Sequence, residues 1–204
     1  MLKNRVLSYV IPLLIMISAN LAHGADSKVI SQANEYGGIT EERTFHAGDK
    51  TYDADGVGRS VAHYGSARDI RMLEIFFTDA SSARDGISRL VRSHDAQGKL
   101  TRTAFVYADA FSRQNGVAQM VVHYGAEGVK THEEYLFTEE YSSKRKVLKK
   151  ISYFDGDGLK TRDEMLSTKE YTAISGISKV VQHYDREGSA GKVEIYGADG
   201  GLIK

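Results

Sequence analysis

The sequence predicts an all-β fold, an antiparallel β-meander of about 11–12 strands built from six 30-residue hairpin repeats. Three observations predict it. The chain falls into register with itself at a shift of 30, with Gly56, Gly86, Gly116 and Gly176 in one series and Gly38, Gly98, Gly128, Gly158 and Gly188 in another. Between the two series a phrase recurs: Val-Ala-His-Tyr-Gly from Val61, Val-Val-His-Tyr-Gly from Val121 and Val-Gln-His-Tyr-Asp from Val181. Apolar, β-branched and aromatic residues recur two apart, the period of a strand. A sheet this large curls into a curved or solenoid-like array; closure into a barrel, which removes both edges, is the alternative.

Residues 1–24 read as a secretory signal peptide. Lys3 and Arg5 precede an apolar run from Val6 to Ala19, and Ala22-His23-Gly24 offers small residues for cleavage. Residues 25–204 then form a single β-repeat domain with units 26–55, 56–85, 86–115, 116–145, 146–175 and 176–204. The first unit is degenerate and the last shortened, as capping units are, which favours an open array.

With Gly56 as position 1, position 2 is apolar (Val57, Ile87, Val117, Val147, Ile177) and position 6 is β-branched (Val61, Val91, Val121, Ile151, Val181). Position 20 is apolar as well (Ile75, Phe105, Tyr135, Met165, Ile195), so each unit holds strands at about positions 2–9 and 14–23. The turns Asp95-Ala96-Gln97-Gly98, Asp155-Gly156-Asp157-Gly158 and Asp185-Arg186-Glu187-Gly188 place Asp first and Gly fourth. Such a turn suits a type I bend followed by a left-handed Gly, giving a three-residue hairpin loop. Uninterrupted pairing from that turn puts positions 2, 6, 20 and 22 on one apolar face, which the basic residues of position 4 share. The opposite face then carries Glu74, Glu134, Glu164 and Glu194 beside Arg102, His132, Arg162 and Lys192, with Tyr64, Tyr124 and Tyr184 among them. Eight-residue stretches near 79–86, 109–116 and 139–146 join the hairpins.

Composition narrows the function. The chain has no cysteine, so no disulfide and no thiol chemistry, and its one proline, Pro12, lies in the signal peptide. Removing Lys3 and Arg5 from the 27 basic residues leaves 25 against 27 acidic ones, a balance without a nucleic-acid footprint. No Gly-x-Ser-x-Gly elbow or phosphate-binding glycine loop is present. Histidines 63, 123 and 183 recur in alternate units beside turn carboxylates, and Asp155 and Asp157 resemble the start of a calcium loop. These are the metal candidates; the intervening Ser93 and Tyr153 break the histidine line, and the calcium loop lacks its Glu, so no metal or other cofactor is expected.

The phrase His183-Tyr184-Asp185-x-x-Gly188, together with segments such as Lys99-Leu100-Thr101-Arg102, resembles the YD (Rhs-type) repeats of bacterial surface and toxin-associated proteins. The resemblance implies a β-rich extracytoplasmic repeat that encapsulates or binds, and it supplies no catalytic residue. The functional expectation is an exported, non-enzymatic repeat protein, in the bacterial periplasm or outside the cell. Its sheet surface would bind a protein or a cell-envelope polymer, with Tyr64, Tyr124, Tyr184, Glu134, Glu164 and Arg162 as contacts. Two alternatives stand beside it. One is a metal-assisted hydrolase using the repeated histidines. The other is an outer-membrane β-barrel, against which Arg59, Arg89, Lys149 and Lys179 would each cost about 2–4 kcal/mol facing lipid; no membrane insertion of the mature chain is expected.

Overall fold

The computed structural model describes residues 26–30 and 33–204, and the predicted signal peptide at 1–24 lies outside them. The chain opens with strands β1 (Asp26–Ile30) and β2 (Gly37–Thr44) and a short helix α1 (Lys50–Asp55). A strand–strand–helix unit then repeats, first as β3 (Val57–Gly65), β4 (Ile70–Phe77) and α2 (Asp79–Asp85). Next come β5 (Ile87–His94), β6 (Leu100–Tyr107) and α3 (Asp109–Asn115). They are followed by β7 (Val117–Tyr124), β8 (Lys130–Phe137) and α4 (Glu139–Arg145). The fourth copy is β9 (Val147–Phe154), β10 (Lys160–Ser167) and α5 (Lys169–Ser175), and the hairpin β11 (Ile177–Tyr184) and β12 (Ala190–Gly197) ends the array.

All twelve strands form one antiparallel sheet whose spatial order is the chain order, and β12 does not return to β1. The open array is therefore the outcome, and the closed barrel is not. An outer-membrane barrel needs that closure, so this alternative goes with it. The last residues fold back on β12: the Ile203 N–H donates to the Ile195 carbonyl at 2.7 Å and the Ile195 N–H to the Lys204 carbonyl at 2.9 Å. This return covers backbone groups that an edge strand otherwise leaves open.

The hairpin turns follow their sequence. The Asp155 carboxylate accepts from the Asp157 and Leu159 N–H groups at 3.0 and 2.9 Å, and Gly158 sits at φ 79°. The same geometry at Asp95 and Asp185 explains these carboxylates without an ion. The joining stretches, expected as plain connections, are helices of about two turns. Thr78, Thr138 and Thr168 accept a hydrogen bond from the third helical N–H, acidic residues fill the first turn, and each helix ends on a left-handed residue. Helices this short show no apolar stripe, so periodicity misses them and only their caps announce them.

The pairing differs from the uninterrupted register in one respect. Each of the five hairpins from β3 to β12 carries two irregularities, one near each end. In the β7–β8 pair Val117 opposes Phe137 but Gln119 opposes Leu136, and His123 opposes His132 but Tyr124 opposes Lys130. Two bulges shift the middle of the hairpin by one residue and then restore it, and a one-residue shift exchanges faces. Position 6 thus opposes position 19, as in Val61 with Glu74 and Val121 with Glu134, rather than joining the apolar face. Position 4, with Arg59, Arg89, Lys149 and Lys179, moves to the glutamate face too.

Tyr64, Tyr124 and Tyr184 go the other way. They follow the histidines of position 8, and alternation turns them to the face opposite the glutamates. Tyr184 donates to Asp163 at 2.8 Å and Tyr64 reaches Glu41, both on that opposite face.

Strands pack on their chain neighbours and each helix on the strand that follows it, so among the described residues no second layer covers the sheet. The largest apolar cluster, Phe45, Val57, Ile75 and Leu90 with Tyr52, Leu73, Phe77 and Phe105 against it, lies on the face away from the glutamates. Toward the C-terminal half this face turns polar around Asp163, which accepts from Ser152 at 2.6 Å, Tyr184 at 2.8 Å and Lys160 at 3.1 Å.

Candidate functional site: three rows on the glutamate face

The shifted register lines up three rows of side chains across the strands. The central row alternates β-branched and acidic residues: Val61, Glu74, Val91, Ala104, Val121, Glu134, Ile151, Glu164 and Val181. Beside it runs a basic row, and on the other side a row containing the histidines. Val121 and Val181 are each 3% exposed although no layer covers them. Their acidic and basic neighbours supply the cover, which makes the polar groups part of the packing.

Four of the glutamates bridge hairpins. Glu74 accepts from Arg89 at 3.2 Å, Glu134 from Lys149 at 3.0 Å, and Glu42 from Arg59 at 3.0 Å, with Lys179 3.7 Å from Glu164. The chain varies this unit in a coordinated way. Where the central row has Ala104 instead of Glu, its partner position is the neutral Gln119 and the histidine position is Ser93. Removing the acid without its cation would leave a charge against an apolar row, so these two change together; the histidine position varies on its own, with Tyr153 in the hairpin whose Glu164 keeps Lys179.

In three hairpins a histidine reaches its own glutamate: His63 to Glu74 at 3.4 Å, His123 to Glu134 at 3.4 Å, His183 to Glu194 at 3.3 Å. Successive members of the series are four strands apart, about 19 Å at about 4.8 Å per strand. His63, His123 and His183 therefore do not converge on one ion. The sequence pattern missed a different convergence. His132 sits opposite His123 with the rings stacked 4.0 Å apart at 9°, and its Nε2 lies 3.9 Å from the same Glu134 oxygen. The bulge hid this pair, because uninterrupted pairing places Thr131 opposite His123.

Burial and the neighbouring His132 lower the His123 pKa. Burial raises that of Glu134, but the hydrogen bond and charge of Lys149, aided by both histidines, outweigh it and the net direction is down. At the end of the row Glu194 is pulled down to about 2 by hydrogen bonds from Lys192, Tyr196 and His183. Arg162 lies 3.2 Å from Glu164 and stacks over Tyr153 at 4.0 Å. Of the expected contacts, Glu134, Arg162 and Glu164 thus share one face, and Tyr64, Tyr124 and Tyr184 lie on the other. Asp155 and Asp157 stay in an exposed turn away from both.

Fold and site together define a single-layer β-repeat with a repeated ion-pair surface. The chain matches no protein-family model and no curated protein.

Proposed function

We propose that the protein is an exported, non-enzymatic repeat that binds an acidic cell-envelope polymer, or a protein with an acidic surface, along its glutamate face. The observation behind this reading is the uncovered triple row, which recurs once per hairpin, about every 10 Å. A rigid sheet repeating one side-chain unit suits a partner that is itself repetitive, because each added unit raises the effective concentration for the next.

The sign of the partner follows from the rows. Arg59, Arg89, Arg102, Lys149, Arg162, Lys179 and Lys192 outnumber Glu42, Glu74, Glu134, Glu164 and Glu194 on this face, although the whole chain is balanced. The resemblance of the turn phrase to YD repeats and the signal-like N-terminus agree with an extracytoplasmic setting. Among the described residues no helix is long and apolar enough to cross a membrane.

Co-sedimentation with isolated envelope polymers tests the proposal. Retention on an anionic polymer, weakened by salt and lost in the Arg102→Glu, Arg162→Glu double variant, is the expected result. Tyr124→Ala and Tyr184→Ala should leave retention unchanged, because those rings face away. Equal retention of the charge-reversed variant, or none on any envelope fraction, refutes it.

A further inference from the structure

We propose that His123, His132 and Glu134 form a site for one divalent transition-metal ion of the zinc and copper class. Their donor atoms lie within 4.8 Å of one another. A tetrahedral ion with bonds of about 2.0–2.1 Å holds its ligand atoms about 3.4 Å apart. The His123 Nε2 to Glu134 Oε1 distance is already 3.4 Å, and the His132 Nε2 stands at 3.9 Å from the same oxygen. The Nε2 lone pairs lie in the ring planes, so the two near-parallel rings must turn out of their stack for both to aim at one ion.

The surroundings suit the donors. Lys149 donates to the other carboxylate oxygen at 3.0 Å, which fixes the orientation of Glu134 as an outer partner does for a metal ligand. All three residues stand on paired strands in the middle of the sheet, so their backbones are held. Two imidazoles and one carboxylate select zinc or copper over magnesium and calcium. Three protein ligands leave one position for water or for a donor from outside.

The repeat supplies an independent argument. Position 17 is Met72, Arg102, Arg162 and Lys192 in the other hairpins, and His132 alone makes a second imidazole opposite the first. Where position 17 is Arg162 or Lys192, its own positive charge neutralises the glutamate, at 3.2 Å from Glu164 and 2.7 Å from Glu194. In the β7–β8 hairpin a neutral lone-pair donor stands at that position, while Lys149 at 3.0 Å supplies the charge opposite Glu134. The inference stands apart from whatever the sheet binds.

Equilibrium dialysis of the purified chain against Zn²⁺, with Mg²⁺ as control, tests it. One equivalent of Zn²⁺ and no Mg²⁺ is expected. His132→Arg, which installs the side chain that neighbouring hairpins already accommodate, should keep the circular dichroism spectrum and weaken Zn²⁺ binding about tenfold to a hundredfold or more. Lys192→His sets a second imidazole beside His183 and Glu194 and should raise the stoichiometry to two. A folded chain that binds no Zn²⁺, His132→Arg with undiminished affinity, or Lys192→His still at one equivalent would each overturn the proposal.

Discussion

Asp163 shows what single residues do in a sheet without a second layer. Its carboxylate is 7% exposed and gathers Ser152, Tyr184 and Lys160, with Lys150 at 3.8 Å. Burial alone would raise its pKa, but the Ser152 hydrogen bond, the Lys150 charge and the remaining donors outweigh it, so the folded value lies below the ordinary one. A lowered carboxyl pKa contributes stability that is complete above the unfolded value near about 4 and is lost as pH falls through the folded value. Asp163→Ala should therefore cost about 3 kcal/mol in urea unfolding at pH 7, because it strands several buried donors. The same variant should lose less stability on acidification below about pH 4 than the wild type does.

Among elements, the helix ends carry the clearest test. Gly116 sits at φ 73°, and a Cβ there would meet the Tyr141 ring at 2.2 Å, so the glycine lets the next helix close in. The equivalent residue after α4 is Lys146, left-handed at φ 63° with a side chain that this conformation penalises. Lys146→Gly should stabilise the protein by about 1 kcal/mol, read as a higher urea midpoint at unchanged slope. Much of this architecture was legible beforehand. Period, turn chemistry and strand spans are local properties, and Asp95, Gly98 and Val121 announce them directly. The helices were marked only by Thr78, Thr138 and Thr168 with a following acid, a signal of one cap rather than a pattern. Uninterrupted pairing gives the wrong faces because a bulge at residues such as Gly58 and Thr131 leaves no mark in hydrophobicity. Turn and bulge together decide register, and only the turn is spelled out. His132 and the three tyrosines fell on the wrong side of that distinction.

At the scale of the whole molecule, the described residues form one sheet in which neither face is buried by another layer, so its side chains must serve as both cover and surface. That double duty explains why the glutamate and its basic partner recur along with Val, and why Ala104 and Gln119 change as a pair. It also explains the short return of residues 201–204 along β12, the edge where the array stops. Everything proposed for the glutamate face depends on the shifted register recurring in each hairpin. Cross-strand nuclear Overhauser contacts in the labelled protein read that register residue by residue. The account predicts backbone contacts of Val61 with Glu74, Val121 with Glu134 and His123 with His132; contacts of Val121 with Glu133 and His123 with Thr131 would contradict it.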